Sequence, residues 1–287
     1  MMKTLSLITA SYNSARTIAD TLRSVNAQTY PNIEYLVVDG GSKDDTMAIV
    51  EREGTRVTSA VSEPDKGIYD AYNKGLSRAT GDVIGFINSD DYYCAPDVIE
   101  NVMRAFDDPT VEAVHADLVY VDPDNTGKIE RHWKSRPATV ENLRRGFIPA
   151  HPTLFLTRAA YEKVGEYDTS YRLAADYDFM LRAFYVHKLK SVYLPQIWVR
   201  MRSGGATGGT AASIMKQNDE IRRSQAAHDL HYPKALFFAH KVLDRSVQRA
   251  RAPFVKVPDM PGGGGRRSPA NGCWRSFRRA RAPRACP

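Results

Sequence analysis

Two adjacent carboxylates, Asp90 and Asp91, close the segment Asn88-Ser89-Asp90-Asp91 directly after the apolar run Val83-Ile84-Gly85-Phe86-Ile87. Side by side at the end of a buried strand they repel each other, and a hard cation or solvent is the natural compensation. Oxygen ligands of this kind suit Mn²⁺ or Mg²⁺, ions held by one or two carboxylates together with substrate phosphates. Such an ion neutralises charge growing on a leaving diphosphate. The blander reading, a solvated Asn/Ser/Asp turn, is common in proteins. A second acid, Asp39, ends Tyr35-Leu36-Val37-Val38 and precedes Gly40-Gly41-Ser42. A loop with close backbone approach at its glycines and a helix cap at Asp44 explains every residue there except Asp39, which is left to accept hydrogen bonds from a nucleobase N–H. A third acid, Asp176, opens an apolar stretch where a helix dipole favours its ionised form, with an ordinary N-cap as the alternative.

The elements that position these acids are legible in the pattern. Short apolar runs at Leu5–Ile8, Tyr35–Val38, Val57–Val61 and Val83–Ile87 alternate with amphipathic stretches at Ala15–Ala27, Asp44–Arg52 and Ile68–Ser77. This alternation predicts an α/β domain with a Rossmann-like, mostly parallel sheet flanked by helices. The polar segments Thr9–Asn13, Asp39–Asp45, Ser62–Gly67 and Asn88–Asp91 all follow strand ends, the edge where open α/β sheets bind ligands. Beyond residue 92 the pattern turns mixed. It predicts a helix over Ala95–Phe106, strands over Glu112–Val121 and Ser191–Leu194, and helices over Arg158–Val164, Asp176–Tyr185, Ala211–Asp229 and Lys234–Arg249. The resulting division is a catalytic domain over 1–232, with a nucleotide-sugar half to about 92 and an acceptor half from 93. A basic helix and an Arg/Gly/Pro-rich tail over 233–287, read as disordered after Pro261, complete the chain.

Four ordered motifs resemble family 2 glycosyltransferases of the GT-A fold: Thr9-Ala-Ser-Tyr-Asn13, Val38-Asp-Gly-Gly-Ser-Lys-Asp-Asp-Thr46, Ser62-Glu-Pro-Asp-Lys-Gly-Ile-Tyr-Asp-Ala-Tyr-Asn-Lys-Gly75 and Gly85-Phe-Ile-Asn-Ser-Asp-Asp91. The resemblance covers roughly residues 3 to 205. It implies that Thr9, Ala10, Tyr12 and Asn13 line a base and ribose site, that Asp39 pairs with the base, and that Asp65 and Lys66 belong to the donor-side loop. It implies Asn88 and Asp90 on the ribose and metal side, with Asp91 as direct metal ligand. Asp176 matches the general base of an inverting transfer, although the Glu that usually precedes it is Ala175 here. His151 and Asp117 are expected at the acceptor, and Arg202 or Arg200 at the diphosphate, in place of a late His. The Gly204-Gly205 and Gly208-Gly209 pairs suggest a loop able to close over the donor.

Composition narrows the class further. The 287 residues carry a net charge of +7, but from Lys241 onward 12 Lys/Arg face two Asp, and the preceding 240 residues hold 28 basic against 31 acidic groups. The positive charge is a property of the tail, so the catalytic region gives no sign of nucleic acid. Three scattered cysteines, no membrane-length apolar run and no secretory leader suit a cytoplasmic setting, with peripheral contact at the inner membrane face through the basic C-terminal segment. No GxGxxG follows the first strand, which excludes a dinucleotide-dependent dehydrogenase. The first loop is neither Gly-rich nor basic, which counts against a nucleotidyltransferase. A processive synthase would carry membrane helices. The expectation is therefore single-sugar transfer from a nucleoside-diphosphate sugar to a glycan or lipid-linked acceptor of a cell-surface polysaccharide. The rival is a silent nucleotide-sugar-binding scaffold, which would have lost Asp91 or Asp176.

Overall fold

A computed structural model describes residues 2–204 and 210–257. The glycines at 205, 208 and 209 and everything after 257 lie outside the described residues, so the closing-loop and disordered-tail expectations are not addressed. The chain runs β1 (Leu5–Ser11), α1 (Ile18–Asn26), β2 (Ile33–Asp39), α2 (Thr46–Glu53), β3 (Val57–Ser62), α3 (Ile68–Arg78), β4 (Val83–Phe86) and β5 (Tyr92–Tyr93). It continues through α4 (Val98–Ala105), β6 (Ala113–Val121), β7 (Ile129–Trp133), α5 (Val140–Arg144), β8 (Phe155–Thr157) and α6 (Arg158–Val164). The remaining elements are α7 (Ala175–Leu181), β9 (Ser191–Arg202), α8 (Ala211–Ala227) and α9 (Lys234–Arg251).

These strands form one sheet in the order β3-β2-β1-β4-β8-β6-β9-β5, with β7 paired to β6. The first four are parallel, while β8 runs antiparallel to both of its neighbours β4 and β6, β9 runs parallel to β6, and β5 is antiparallel to β9. The expected parallel sheet thus holds for the first half, and the second half is mixed. Every residue of β1 is buried, as are the last five of β2, which is why both read as continuous apolar runs. Helix α1 covers one face of the sheet through Ile18, Leu22 and Val25. Burial of each such side chain stabilises the fold by about 1.5–3 kcal/mol.

Three differences from the sequence expectation have physical causes. α1 begins at Ile18, not Ala15, because the Ser14 and Ala15 amides are taken by Thr46 Oγ1 (2.7 Å) and Asp44 Oδ2 (3.0 Å) of the neighbouring loop. β9 does not stop at Leu194. Its ladder to β6 slips between the Tyr193 and Ile197 pairings, so Pro195 sits in a bulge and needs no ladder partner. α9 is no appendage: Phe237 is fully buried, the helix packs on β7, and Arg136 bridges to Asp244 at 2.7 Å. The division drawn at residue 232 therefore does not separate α9 from the body. No helix of the described residues is long and apolar enough to cross a membrane.

Candidate active site

The loops after β1, β2, β3 and β4 are stitched into one surface. Asn13 gives its amide to Ser42 Oγ (2.7 Å) and receives that of Lys43 on Oδ1 (2.9 Å), while Ser14 Oγ meets Ser89 Oγ at 2.8 Å. Gly40 permits the approach of the third loop, since a Cβ there would lie 2.5 Å from Asp65 Oδ2 and 3.3 Å from the Tyr12 ring. Tyr12 stands open to solvent at 62% and is free to cover a planar ligand. Asn13 and Lys66 are likewise exposed, and Asp65 accepts the Gly67 amide at 2.8 Å.

Several expected ligand contacts are directed into the protein instead. Ala10 is buried in β1, and Thr9 Oγ1 points to the Tyr35 hydroxyl (3.0 Å). Asp39 is wholly buried and accepts from Ser11 Oγ (3.0 Å), the Gly41 amide (3.1 Å), the Ser42 amide (2.8 Å), Ser42 Oγ and Ser62 Oγ (2.6 Å). Burial works against its charge, but the Ser42 and Ser62 donors prevail and hold its pKa below the usual carboxylate value. Its oxygens are engaged in shaping the loop.

Asp91 is fully buried, and its Oδ1 has no hydrogen-bond partner. Oδ2 accepts from Asn88 Nδ2 at 3.0 Å, and Asn88 Oδ1 in turn accepts from the Tyr72 hydroxyl. Burial first, then the neighbouring Asp90 charge, push the Asp91 pKa well above the normal value, and burial raises Asp90 too. An orphaned oxygen on a carboxylate that resists ionisation is the signature expected where a cation belongs. Among the described residues no group of three or more His, Cys, Asp or Glu side chains gathers to hold a metal. Asp91, with Asp90 beside it, offers one or two carboxylates and leaves positions for phosphate and water, a donor set that fits Mn²⁺ or Mg²⁺.

Arg202, expected at the diphosphate, is buried and occupied: Nη1 donates to the Asp90 carbonyl (2.6 Å) and Nη2 pairs with Asp20 of α1. It braces the acidic turn from behind. Arg200 is turned away, donating to the Thr126 carbonyl at 2.9 Å.

Asp176 occupies the first turn of α7, whose N-cap position is Ala174, so it is not the cap. Glu220 of α8 supplies the capping oxygen, accepting the Leu173 and Ala174 amides at 2.7 and 3.0 Å. Asp176 Oδ1 accepts the Tyr177 amide at 2.8 Å and the Tyr69 hydroxyl at 3.3 Å. Burial raises its pKa to about 6 against these two donors. His151 is not at an open acceptor surface. It is buried beside Tyr72 (5.2 Å between rings), bonded through Nε2 to Tyr167 Oη (2.8 Å), and lowered by burial to a pKa of about 4. Asp117 is spent on the Ser135 amide (2.7 Å), the Tyr193 hydroxyl (2.8 Å) and His132 Nε2 (3.2 Å). A cavity of about 370 Å³ at the end of α8, lined by Gln225, Leu230 and Tyr232, contains none of these acids. The acids, not that cavity, mark the site.

Residues 6–164 match the family described as Glycosyl transferase family 2. The chain belongs to that family. A glycosyltransferase of Mycobacterium tuberculosis with no assigned reaction is 33% identical over 182 residues, 63% of this chain and 68% of its own length. A PGL/p-HBAD biosynthesis glycosyltransferase of Mycobacterium bovis is 28% identical, covering 71% of this chain and 79% of that one. Among solved structures, mannosyltransferase PcManGT from Pyrobaculum calidifontis, in complex with GDP-Man and Mn²⁺, superposes with a TM-score of 0.61 at 21% identity, covering 89% of this chain and 76% of that one. S. aureus TarS gives 0.61 at 19% identity, covering 84% of this chain and less than half of TarS, 42%. The fold is thus that of the GT-A enzymes, and the family 2 chain is a glycosyltransferase. What the sequence reading missed within it are Tyr69, Tyr72 and Glu220. The two tyrosines stand in the third motif and the periodicity of α3 puts them on one face, but only the fold brings Glu220 across from α8.

Proposed function

We propose that this enzyme moves a single sugar from a nucleoside-diphosphate sugar to an acceptor hydroxyl with inversion at the transferred carbon. The observation that carries the reading is the pair of unlike acids. Asp91 is buried with an unpartnered oxygen, and Asp176 has its pKa raised to about 6. Tyr72 lies within electrostatic reach of both. Asp91, with Asp90 beside it, would hold Mn²⁺ or Mg²⁺, which when bound would neutralise the leaving diphosphate. Tyr12 would cover the base, and Asn13, Asp65 and Lys66 would line the donor. Asp176 would take the proton from the acceptor hydroxyl as that oxygen attacks, from the side opposite the departing diphosphate. The solved relatives support such a donor, since TarS was solved with UDP-GlcNAc and PcManGT with GDP-Man.

The acceptor reading is a lipid-linked glycan of the cell surface, supported by the glycolipid-pathway name of the Mycobacterium bovis relative. α9 supports a peripheral approach to an anionic membrane from the cytoplasmic side. Leu236, Val242 and Leu243 are exposed at 50%, 65% and 60%, in a helix that also carries Lys234, Arg249 and Arg251.

The deciding experiment incubates the protein with UDP-, GDP- and dTDP-sugars plus Mn²⁺, Mg²⁺ or EDTA and measures released nucleoside diphosphate. Metal-dependent release from one donor, lost in Asp91→Asn, is the expected result. Absence of both release and nucleotide binding would sink the reading.

A further inference from the structure

The inner face of α9 gathers positive charge beside the candidate base. Arg131 of β7 lies flat on the Tyr120 ring, 3.7 Å from its centre, and 5.5 Å from that of Trp133. Its Nε is buried and has no hydrogen-bond partner. Arg245 of α9 faces it: the charges acting on Arg245 are those of Arg131 and Arg249, and Tyr120 is the neighbour that favours its charge. Neither guanidinium has a carboxylate partner among the described residues. One turn earlier on α9, Lys241 donates to Asn218 Oδ1 at 3.0 Å. Its stem runs past Gly146, where a Cβ would meet Lys241 Cε at 3.2 Å and the Phe237 ring at 2.4 Å. The one acid that acts on Lys241 is Asp176.

Three half-buried cations that share one neighbourhood, with Asp176 acting on Lys241 alone and no carboxylate paired to either guanidinium, repel one another and lack full hydration. Burial, then the adjacent Arg245, bring Lys241 down to a pKa of about 7, and burial, then Arg131, lower Arg245. Such an arrangement persists where an anion compensates it. Two guanidiniums and an ammonium offer the planar forks and point charge that phosphate oxygens accept. The location selects the source of that phosphate. Lys241 and Asp176 act on each other, while Tyr120, the ring under Arg131, feels the charges of both Asp91 and Asp176. The cluster borders the candidate base through Lys241.

We propose that Arg131, Lys241 and Arg245 form a binding site for a phosphate group carried by the acceptor. The word acceptor rests on Asp176 being the base of the transfer proposed above; the phosphate site itself rests on the cations alone. A phosphorylated acceptor anchored here would bring its hydroxyl toward Asp176, and α9 serves as one wall of the acceptor cleft.

The test titrates inorganic phosphate into the wild-type protein by calorimetry in EDTA, so that no metal mediates binding. Arg131→Gln, Arg245→Gln, Arg245→Lys and, as a control on the exposed face of α4, Arg104→Gln run beside it. Affinity is expected to fall about ten-fold or more in Arg131→Gln and Arg245→Gln, to be largely retained in Arg245→Lys, and to stay unchanged in Arg104→Gln. UDP and GDP binding with Mn²⁺, and slow donor hydrolysis without acceptor, should be the same in all of them, which also shows that the variants fold. Phosphate affinity indifferent to Arg131 and Arg245 overturns the site. A matching loss of nucleoside diphosphate affinity overturns the acceptor assignment and gives the cluster to the donor. A wild type that binds phosphate but no nucleotide defeats the transfer reading and the acceptor assignment with it, while the site stands.

Discussion

Tyr69 and Tyr72, three residues apart on α3, hold opposite ends of the candidate site. The Tyr69 hydroxyl donates to Asp176 at 3.3 Å, and the Tyr72 hydroxyl donates to Asn88, which holds Asp91 at 3.0 Å. One helical turn thus ties Asp176 and Asp91 to the same face of α3. Removing the Tyr69 hydroxyl takes away a donor that favours the ionised base, so Tyr69→Phe should raise the base pKa. The acid limb of the rate profile is expected to move upward by about 0.5–1 pH unit. Tyr72→Phe should leave that limb in place and raise the Mn²⁺ concentration for half-maximal rate about ten-fold. Full pH profiles and metal titrations of both variants decide it; identical effects from the two would refute the division of labour.

The raised pKa of Asp176 carries a stability cost. Its folded pKa, about 6, exceeds the ordinary carboxyl value of 3.8, so the native state is penalised where the group is ionised. The penalty is absent below about pH 4 and grows as pH rises through 6. Asp176→Asn should abolish transfer and yet stabilise the unliganded fold at pH 7.5 by up to about 3 kcal/mol, a gain that disappears by pH 4. Denaturant melts at the two pH values test the sign.

Two buried histidines set the acid limit. His115 and His151 are both brought to a pKa of about 4 by burial. Each is neutral in the fold and must take up a proton on unfolding as pH drops below 6.5. Stability is full above pH 6.5 and declines toward pH 4, by up to about 3 kcal/mol per histidine. Replacing His151 with Phe should flatten this decline; an unchanged acid midpoint would show that other groups govern it.

The Arg202 pairing with Asp20 is shielded on the arginine side, where 7% of the side chain is exposed. Arg202→Ala should cost about 3 kcal/mol by leaving Asp20 and the Asp90 carbonyl without their partner. Arg202→Lys, which cannot span both, should recover only part of it. Nucleotide affinity measured where the variants remain folded should fall less than the rate does.

Asp39 offers a direct contest between base reader and loop organiser. With five protein donors on its carboxylate, Asp39→Asn should lower stability by about 2 kcal/mol and weaken every nucleotide alike. A change in the preference among UDP, GDP and dTDP donors would instead restore the base-reading role.

The first half was legible because β1, β2 and β4 are covered on both faces and its strands end in short polar loops. Apolar continuity located these three strands, and the acids at the ends of β2 and β4 followed. Side-chain direction was not legible. Nothing in the order of residues says that Asp39 turns inward to Ser11 and Ser62, or that Arg202 turns back to Asp20. β7 escaped notice since all five of its residues are half-buried and none of the strong alternation appears in Ile-Glu-Arg-His-Trp. The continuation of β9 was hidden by Pro195, and the role of α9 by its basic composition, which suits a solvated face as well as a cleft wall.

β9 has a consequence for how such enzymes diversify. It begins beside β6 in the second half and ends against Tyr92, delivering Arg202 to the Asp90 turn of the first. The two halves are therefore not interchangeable cassettes. A recombination that joins the first 93 residues of one relative to the remainder of another separates residues 88–93 from the strand that braces them. Viable hybrids should carry both segments from the same parent, so that a new donor specificity is inherited together with part of the machinery that faces the acceptor.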